Sequence, residues 1–137
     1  MDNQDGRTWA TELFDLWTAL WNGDLALSEQ IMAPEFTLRY AQPGTEVFDT
    51  IRTPQQFADL IAAFRKARPG LRFAPEGPTA VDLQPGDGGW TGLVTSPYLA
   101  SFDGGERESR SGTDMLRVAD GKIVEVWSVS NERTYYH

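Results

Sequence analysis

Cysteine is absent from the 137-residue sequence, which rules out a disulfide framework, a thiol nucleophile and a thiolate metal site. Histidine is almost absent: the single imidazole, His137, stands at the last position. Without a second one, Ser-His-Asp triads and histidine-ligated zinc centres, the basis of most hydrolase chemistry, have no residues to work with. Basic residues are in deficit, 12 Lys and Arg against 20 Asp and Glu, giving a formal net charge of -8. Nucleic acid is not expected as a partner, because backbone phosphates call for clustered cations. The densest basic run, Arg65, Lys66 and Arg68, falls where a helix should end, and the helix dipole favours cations there.

Long apolar runs are missing too. Nothing approaches the roughly 20 residues that cross a bilayer, and no membrane association is expected. Residues Met1 to Gly6 show no basic region followed by an apolar stretch, so no secretory leader is expected, and a cysteine-free chain suits a reducing cytoplasm. The length fits a single domain covering residues 1–137, with no repeat or linker to divide it.

Helical periodicity occupies the first half. Trp9, Leu13, Leu16, Trp17 and Leu20 form one face of a helix ended by Asn22 and Gly23. Asp24 is placed to cap a shorter helix carrying Leu25, Leu27, Ile31 and Met32, which Ala33, Pro34 and Glu35 should stop. Phe36 to Ala41 then alternates as a strand, with Phe36, Leu38 and Tyr40 inward and Thr37 and Arg39 outward. After a loop over 42–52, Thr53, Pro54 and Gln56 spell a capping box with proline in the first turn. The helix they open buries Phe57, Leu60, Ile61 and Phe64 and stops at Pro69 and Gly70.

From Leu71 onward the pattern is strand-like: 71–74, 80–83, 90–102, 107–119 and 122–133, separated by turns such as Asp87-Gly88-Gly89 and Asp103-Gly104-Gly105. Pro97 inside the long run marks a bulge or an edge, since it cannot donate to a ladder. Helices first and strands afterwards predict an α+β domain. In it, three N-terminal helices pack on the concave face of a curved antiparallel sheet around an apolar pocket.

The last hairpin, Ser111 to Ser128, holds the residue of greatest chemical interest. A three-residue loop at Ala119–Gly121 sets Val118 opposite Lys122 and Asp114 opposite Val126. One face then reads Asp114, Leu116, Val118, Val124, Val126, Ser128 and the other Met115, Arg117, Ile123, Glu125, Trp127, Val129. A two-residue Asp120-Gly121 turn would instead pair Asp114 with Trp127 and bury Glu125, which disfavours it. The first face is apolar with two polar interruptions, as a ligand pocket should be. On such a face a carboxyl group should have a raised pKa. Asp114 is then either a neutral donor to a carbonyl or enolate oxygen, or an ionised base; capping a turn at the sheet rim is the competing structural role. The second face suits a homodimer contact, with Arg117 and Glu125 as neighbours.

Trp21-Asn22-Gly23-Asp24 after the first helix, Ala33-Pro34-Glu35-Phe36 ahead of the first strand and the hairpin from Asp114 to Trp127 resemble the SnoaL-like polyketide cyclases. That family lies in the nuclear-transport-factor-like superfamily that also holds ketosteroid isomerase. The resemblance spans nearly the whole chain and implies a cone-shaped fold and a homodimer. Asp114 matches the isomerase acid that donates to the steroid oxyanion. The isomerase base position falls at Tyr40 and its oxyanion tyrosine at Leu16. The cyclase His and Asp flanking the last-strand tryptophan fall at Val126 and Ser128.

The chain is therefore expected to act, without metal or cofactor, on a hydrophobic carbonyl compound of polyketide or terpenoid type by cyclisation or isomerisation. Asp114 and Tyr40 are the candidate catalytic residues. Leu16, Trp17, Leu38, Leu116, Val126, Ser128 and Asn131 are the candidate ligand contacts. A noncatalytic hydrophobic-ligand-binding domain is the alternative, and a surface turn is the alternative role for Asn131.

Overall fold

The structure, a computed structural model, describes residues 3–104 and 106–136, without the side chains of residues 3, 104, 106 and 107. Met1, Asp2, the third residue of the Asp103-Gly104-Gly105 turn and the lone imidazole of His137 lie outside the described residues. Three helices precede five of the six strands: α1 (Asn3–Trp21), α2 (Leu27–Ile31), β1 (Met32–Tyr40), a 3-10 turn (Glu46–Thr50), α3 (Pro54–Lys66), β2 (Arg72–Pro75), β3 (Ala80–Gly86), β4 (Gly89–Gly104), β5 (Glu106–Ala119) and β6 (Lys122–Asn131). No helix among the described residues is long and apolar enough to cross a membrane.

Helix α1 buries Leu13, Trp17 and Leu20 of the expected stripe together with Ala10, Phe14 and Trp21, while Trp9 and Leu16 are only half-buried. Its end is pinned rather than merely stopped. The Asn22 amide donates to Phe73 O at 2.9 Å and accepts from Phe73 N at 2.7 Å, so one side chain acts as a ladder rung for β2. Gly23 turns the chain at φ +113°, and Arg65 Nη1 donates to the orphan carbonyl of Trp21 at 2.9 Å.

Helix α2 departs from expectation. Ala26, not Asp24, occupies its N-cap, with no side-chain cap, and Asp24 contributes only its backbone carbonyl to Leu27 N at 3.1 Å. Nor do Ala33, Pro34 and Glu35 form a break: β1 begins directly at Met32, and Pro34 sits in its irregular stretch, where no regular ladder donor is needed. Helix α3 forms as read, with Gln56 N donating to Thr53 Oγ1 at 3.4 Å and Thr53 N to Gln56 Oε1 at 3.2 Å.

The curved sheet runs β1-β6-β5-β4-β2, with β3 also paired to β4. It is mixed, not wholly antiparallel: β1 runs parallel to β6. No hairpin joins that pair. The chain leaves β1 and returns only after α3 and four strands, a crossover that permits parallel entry. Pro97 lies where β3 stops pairing with β4, at Thr95, and β2 takes over, at Tyr98. Its carbonyl accepts from Glu76 N at 3.1 Å on that side, so the missing N–H faces the gap between two edge strands.

The β5–β6 hairpin corrects both registers weighed from sequence. Asp120 (φ 50°) and Gly121 (φ 80°) form a two-residue turn, and Ala119 pairs with Lys122. A bulge then makes Val124 the extra residue, so Val118 faces Ile123, Arg117 faces Glu125, and Asp114 faces Ser128 rather than Val126 or Trp127. The bulge satisfies an Asp-Gly turn and an outward Glu125 together. Ile123, fully buried, thereby takes the inner place expected of Val124. On the outer face Glu125 joins Arg117 at 3.1 Å and Arg39 at 2.5 Å.

Candidate active site

Register places the inner residues of four strands in rungs. Leu38 pairs with Val126, Val126 with Leu116 and Leu116 with Val94, and this rung is sealed, none of the four more than 2% exposed. Two residues further along the same strands, Tyr40 pairs with Ser128, Ser128 with Asp114 and Asp114 with Ser96. The next rung up β5 and β4 sets Gly112 against Tyr98, and the one above sets Arg110 against Ala100. Hydrophobic strands thus carry a polar rung where the helices no longer fill the sheet.

Above that rung lies a cavity of about 180 Å³. Trp17 and Trp21 of α1, Phe48 of the 3-10 turn, Phe64 of α3, and Phe73 and Tyr98 of the sheet are its aromatic walls. Trp21 is the hub, with ring centroids of Trp17, Tyr40, Phe48, Phe57, Phe64 and Phe73 between 5.5 and 6.3 Å away. Tyr40 stacks on Phe48 at 4.1 Å. A cavity of this size is slightly larger than the roughly 150 Å³ that holds a benzene ring.

Asp114 is 5% exposed. Trp17 Nε1 donates to its Oδ2 at 2.8 Å, joining helix to sheet, while Oδ1 has no hydrogen-bond partner. Burial pushes its pKa up to about 6. Ser128, near enough to favour the anion, and Trp17 limit that rise. Tyr40 is raised well above the usual phenol range by burial and by the Asp114 charge, and Tyr98 is raised by the same two causes. Both phenols are therefore neutral donors at any working pH. Tyr40 Oη, Ser128 Oγ, Trp21 Nε1, Gln42 Oε1 and Asp114 Oδ1 are buried without a well-formed hydrogen bond, though Ser128 lies close enough to Asp114 and Tyr40, and Trp21 close enough to Tyr40, to hold their pKa values down. All five residues line the cavity. Buried polar atoms normally find partners, and leaving one unmade costs about 1–3 kcal/mol. Five around one cavity give an otherwise aromatic space a polar lining.

Asp114, Tyr40, Trp17 and Ser128 are thus brought together. Five expected contacts are not. Leu38, Leu116 and Val126 belong to the sealed rung below the cavity. Leu16, half-buried, packs against the core one residue round α1 from the inward Trp17 and does not line the cavity. Asn131 is exposed, its Oδ1 accepting from Glu132 N at 2.8 Å in a surface turn, and Ser130 takes the inward place.

Tyr98, Arg68 and Arg110 also line the cavity, and no local sequence pattern marks them as site residues. The signal for Tyr98 was Gly112: a Cβ there would lie 2.4 Å from Tyr98 Oη, so glycine makes room for the phenol over the sheet. Recognising it requires the β4–β5 register.

Three helices and a curved six-stranded mixed sheet, with a polar rung at the floor of an aromatic cavity, make an α+β domain of the nuclear-transport-factor-like fold. The chain belongs to the SnoaL-like domain family, whose pattern it matches over residues 10–126. Its fold is shared by a candidate polyketide cyclase from Acidithiobacillus ferrooxidans (TM-score 0.71, 18% identity, covering 90% of this chain and 88% of that one). A candidate SnoaL-like polyketide cyclase from Jannaschia sp. CCS1 is similar (TM-score 0.70, 16% identity, 96% and 91% covered). So is a candidate isomerase of the SnoaL-like family from Agrobacterium tumefaciens (TM-score 0.67, 21% identity, 90% and 98% covered). A search of curated proteins finds no match to the chain.

Proposed function

We propose that this protein is an acid/base enzyme that moves a proton on a hydrophobic carbonyl compound, of polyketide or terpenoid type, to isomerise it or close a ring. The observation that carries the reading is Oδ1 of Asp114, facing a cavity beside four other buried polar atoms without a well-formed hydrogen bond, with its partner oxygen fixed by Trp17. A carboxyl group with a pKa of about 6 is matched to giving and taking protons near neutrality.

In the proposed reaction Asp114 Oδ1 takes a proton from the carbon next to the carbonyl. The C–H electron pair moves into the new C=C bond, and the carbonyl π pair moves onto oxygen. The enolate oxygen accepts hydrogen bonds from Tyr40 Oη and Trp21 Nε1, neutral donors buried in the cavity wall. Asp114 then returns the proton to a different carbon, which is isomerisation. Alternatively, the enolate carbon attacks a second carbonyl carbon and the new alkoxide takes the proton, which is ring closure. The chain's own groups suffice for each step.

One observation favours a second reading. Asp114 is the only acidic side chain lining the cavity among the described residues, and both tyrosines are held neutral. A site with one titrating group also suits a binding protein that performs no chemistry. The two readings separate on 1-tetralone, an apolar bicyclic ketone of suitable size, incubated in D2O and followed by NMR. The enzyme reading predicts that the protein accelerates deuterium uptake at the carbon beside the carbonyl and that Asp114→Asn abolishes the acceleration. Binding of the ketone with no acceleration would establish the second reading instead.

A further inference from the structure

The cavity has a charged end that the proposed chemistry does not use. Arg110, on β5, projects from the same face as Asp114 four residues away, about 14 Å along a strand rising about 3.4 Å per residue. Arg68, just past α3, lines the same cavity. Its guanidinium lies 3.6 Å over the Phe64 ring and Nη1 donates to Phe64 O at 3.3 Å, which fixes its plane. Arg110 stands 5.5 Å over Phe102. These are the only basic side chains on the cavity wall among the described residues, in a chain of net charge -8.

Arg68 has no salt bridge among the described residues, and Arg110 reaches only Glu108, at 3.7 Å in a solvent-exposed pair. The two cations also feel one another: burial, and then the Arg110 charge, lower the pKa of Arg68. Like charges held side by side at the mouth of an aromatic cavity are stabilised by an anion placed between them. Planar guanidinium forks match the geometry of a carboxylate. Since Glu108 already offsets part of the Arg110 charge, little more than one positive charge is left over, which suits a monoanion better than a phosphate dianion.

We propose that the ligand is an apolar carboxylic acid, its carboxylate held between Arg68 and Arg110 at the mouth and its ring system and carbonyl reaching down to the Asp114 rung. This deepens the reading of the cavity as a hydrophobic-carbonyl site and rests on it. The arginine side chain spans part of the distance to Asp114, and a bicyclic skeleton fills what remains. Fixing one end of the ligand also sets which of its carbons meets Oδ1, so the pair selects the site of proton transfer as well as affinity.

The test is calorimetric titration of the protein with 2-naphthylacetate, its uncharged methyl ester and 2-naphthyl phosphate. The acid is expected to bind about tenfold more tightly than the ester, one charge-assisted contact's worth of discrimination. Arg68→Gln and Arg110→Gln should each reduce that preference to about twofold or less while ester affinity stays unchanged, which also shows that the variants fold. Equal binding of acid and ester by the unaltered protein would overturn this proposal and leave the hydrophobic-pocket reading standing. Tighter binding of the phosphate would overturn the carboxylate assignment. Failure of all three probes to bind would overturn the pocket reading and this inference together.

Discussion

Two neighbouring rungs of one sheet behave as different materials. Leu38, Val126, Leu116 and Val94 are sealed, whereas Tyr40, Ser128, Asp114 and Ser96, on the same four strands, carry three of the five cavity-facing polar atoms that lack a well-formed hydrogen bond. The strands are the same and the register is continuous, so the difference lies in what covers them. Below, the helices cover the sheet and seal it; above, aromatic side chains of α1, α3 and the 3-10 turn surround a cavity. The fold is stabilised at one level, and the next is free to keep polar groups that stability alone would not select.

The largest expected effect breaks the lower rung. Leu116→Ala, at a fully buried position, should cost about 2–5 kcal/mol. Ser128→Ala, one rung up and also buried, should cost no more than about 1 kcal/mol, because it removes a single hydroxyl with no well-formed hydrogen bond and leaves no large cavity. Urea denaturation of both variants measures the contrast; similar losses would erase the distinction between the rungs.

The second effect is smaller and depends on pH. Asp114 has a folded pKa of about 6 against an ordinary value of 3.8, so the folded state binds this proton more tightly than the unfolded chain does. Stability from this group is therefore full below about pH 4 and lost as pH rises to about 6. By linkage the loss reaches about 3 kcal/mol at most. Asp114→Asn should thus be more stable than the parent at pH 8, by about 1–3 kcal/mol. The advantage should shrink to nothing by pH 4. Thermal melts across that range check the sign; a variant less stable at pH 8 would mean the carboxylate is better solvated or paired than its surroundings indicate.

Much of this was legible in the residues. The α1 stripe, the Thr53–Gln56 capping box and the alternation of Phe36, Leu38 and Tyr40 each follow from local chemistry and stand in the structure. Asp114 was legible for the same reason: an acid in an apolar alternating run is conspicuous. What was not legible depends on pairing. The Val124 bulge reconciles two local preferences that appear incompatible when each register is drawn straight, and no local pattern announces it. The parallel β1–β6 pair depends on a crossover enclosing most of the chain. Leu38, Leu116 and Val126 share a face with Asp114, yet a shared face does not say at which level the helices stop filling it. Arg68 and Arg110 come together only through tertiary structure, 42 positions apart in a sequence whose overall charge points the other way.

The central claim is that Asp114 holds its carboxyl group buried at the floor of the cavity with one oxygen facing it. Titrating the side-chain carboxyl carbon by NMR in aspartate-labelled protein, with Asp114→Asn to assign the signal, tests it most directly. The structure predicts a midpoint of about 6. A midpoint at or below the ordinary aspartate value of about 3.9 would contradict it, since that would place the carboxylate in water or in a strong ion pair and leave the cavity without its proton carrier.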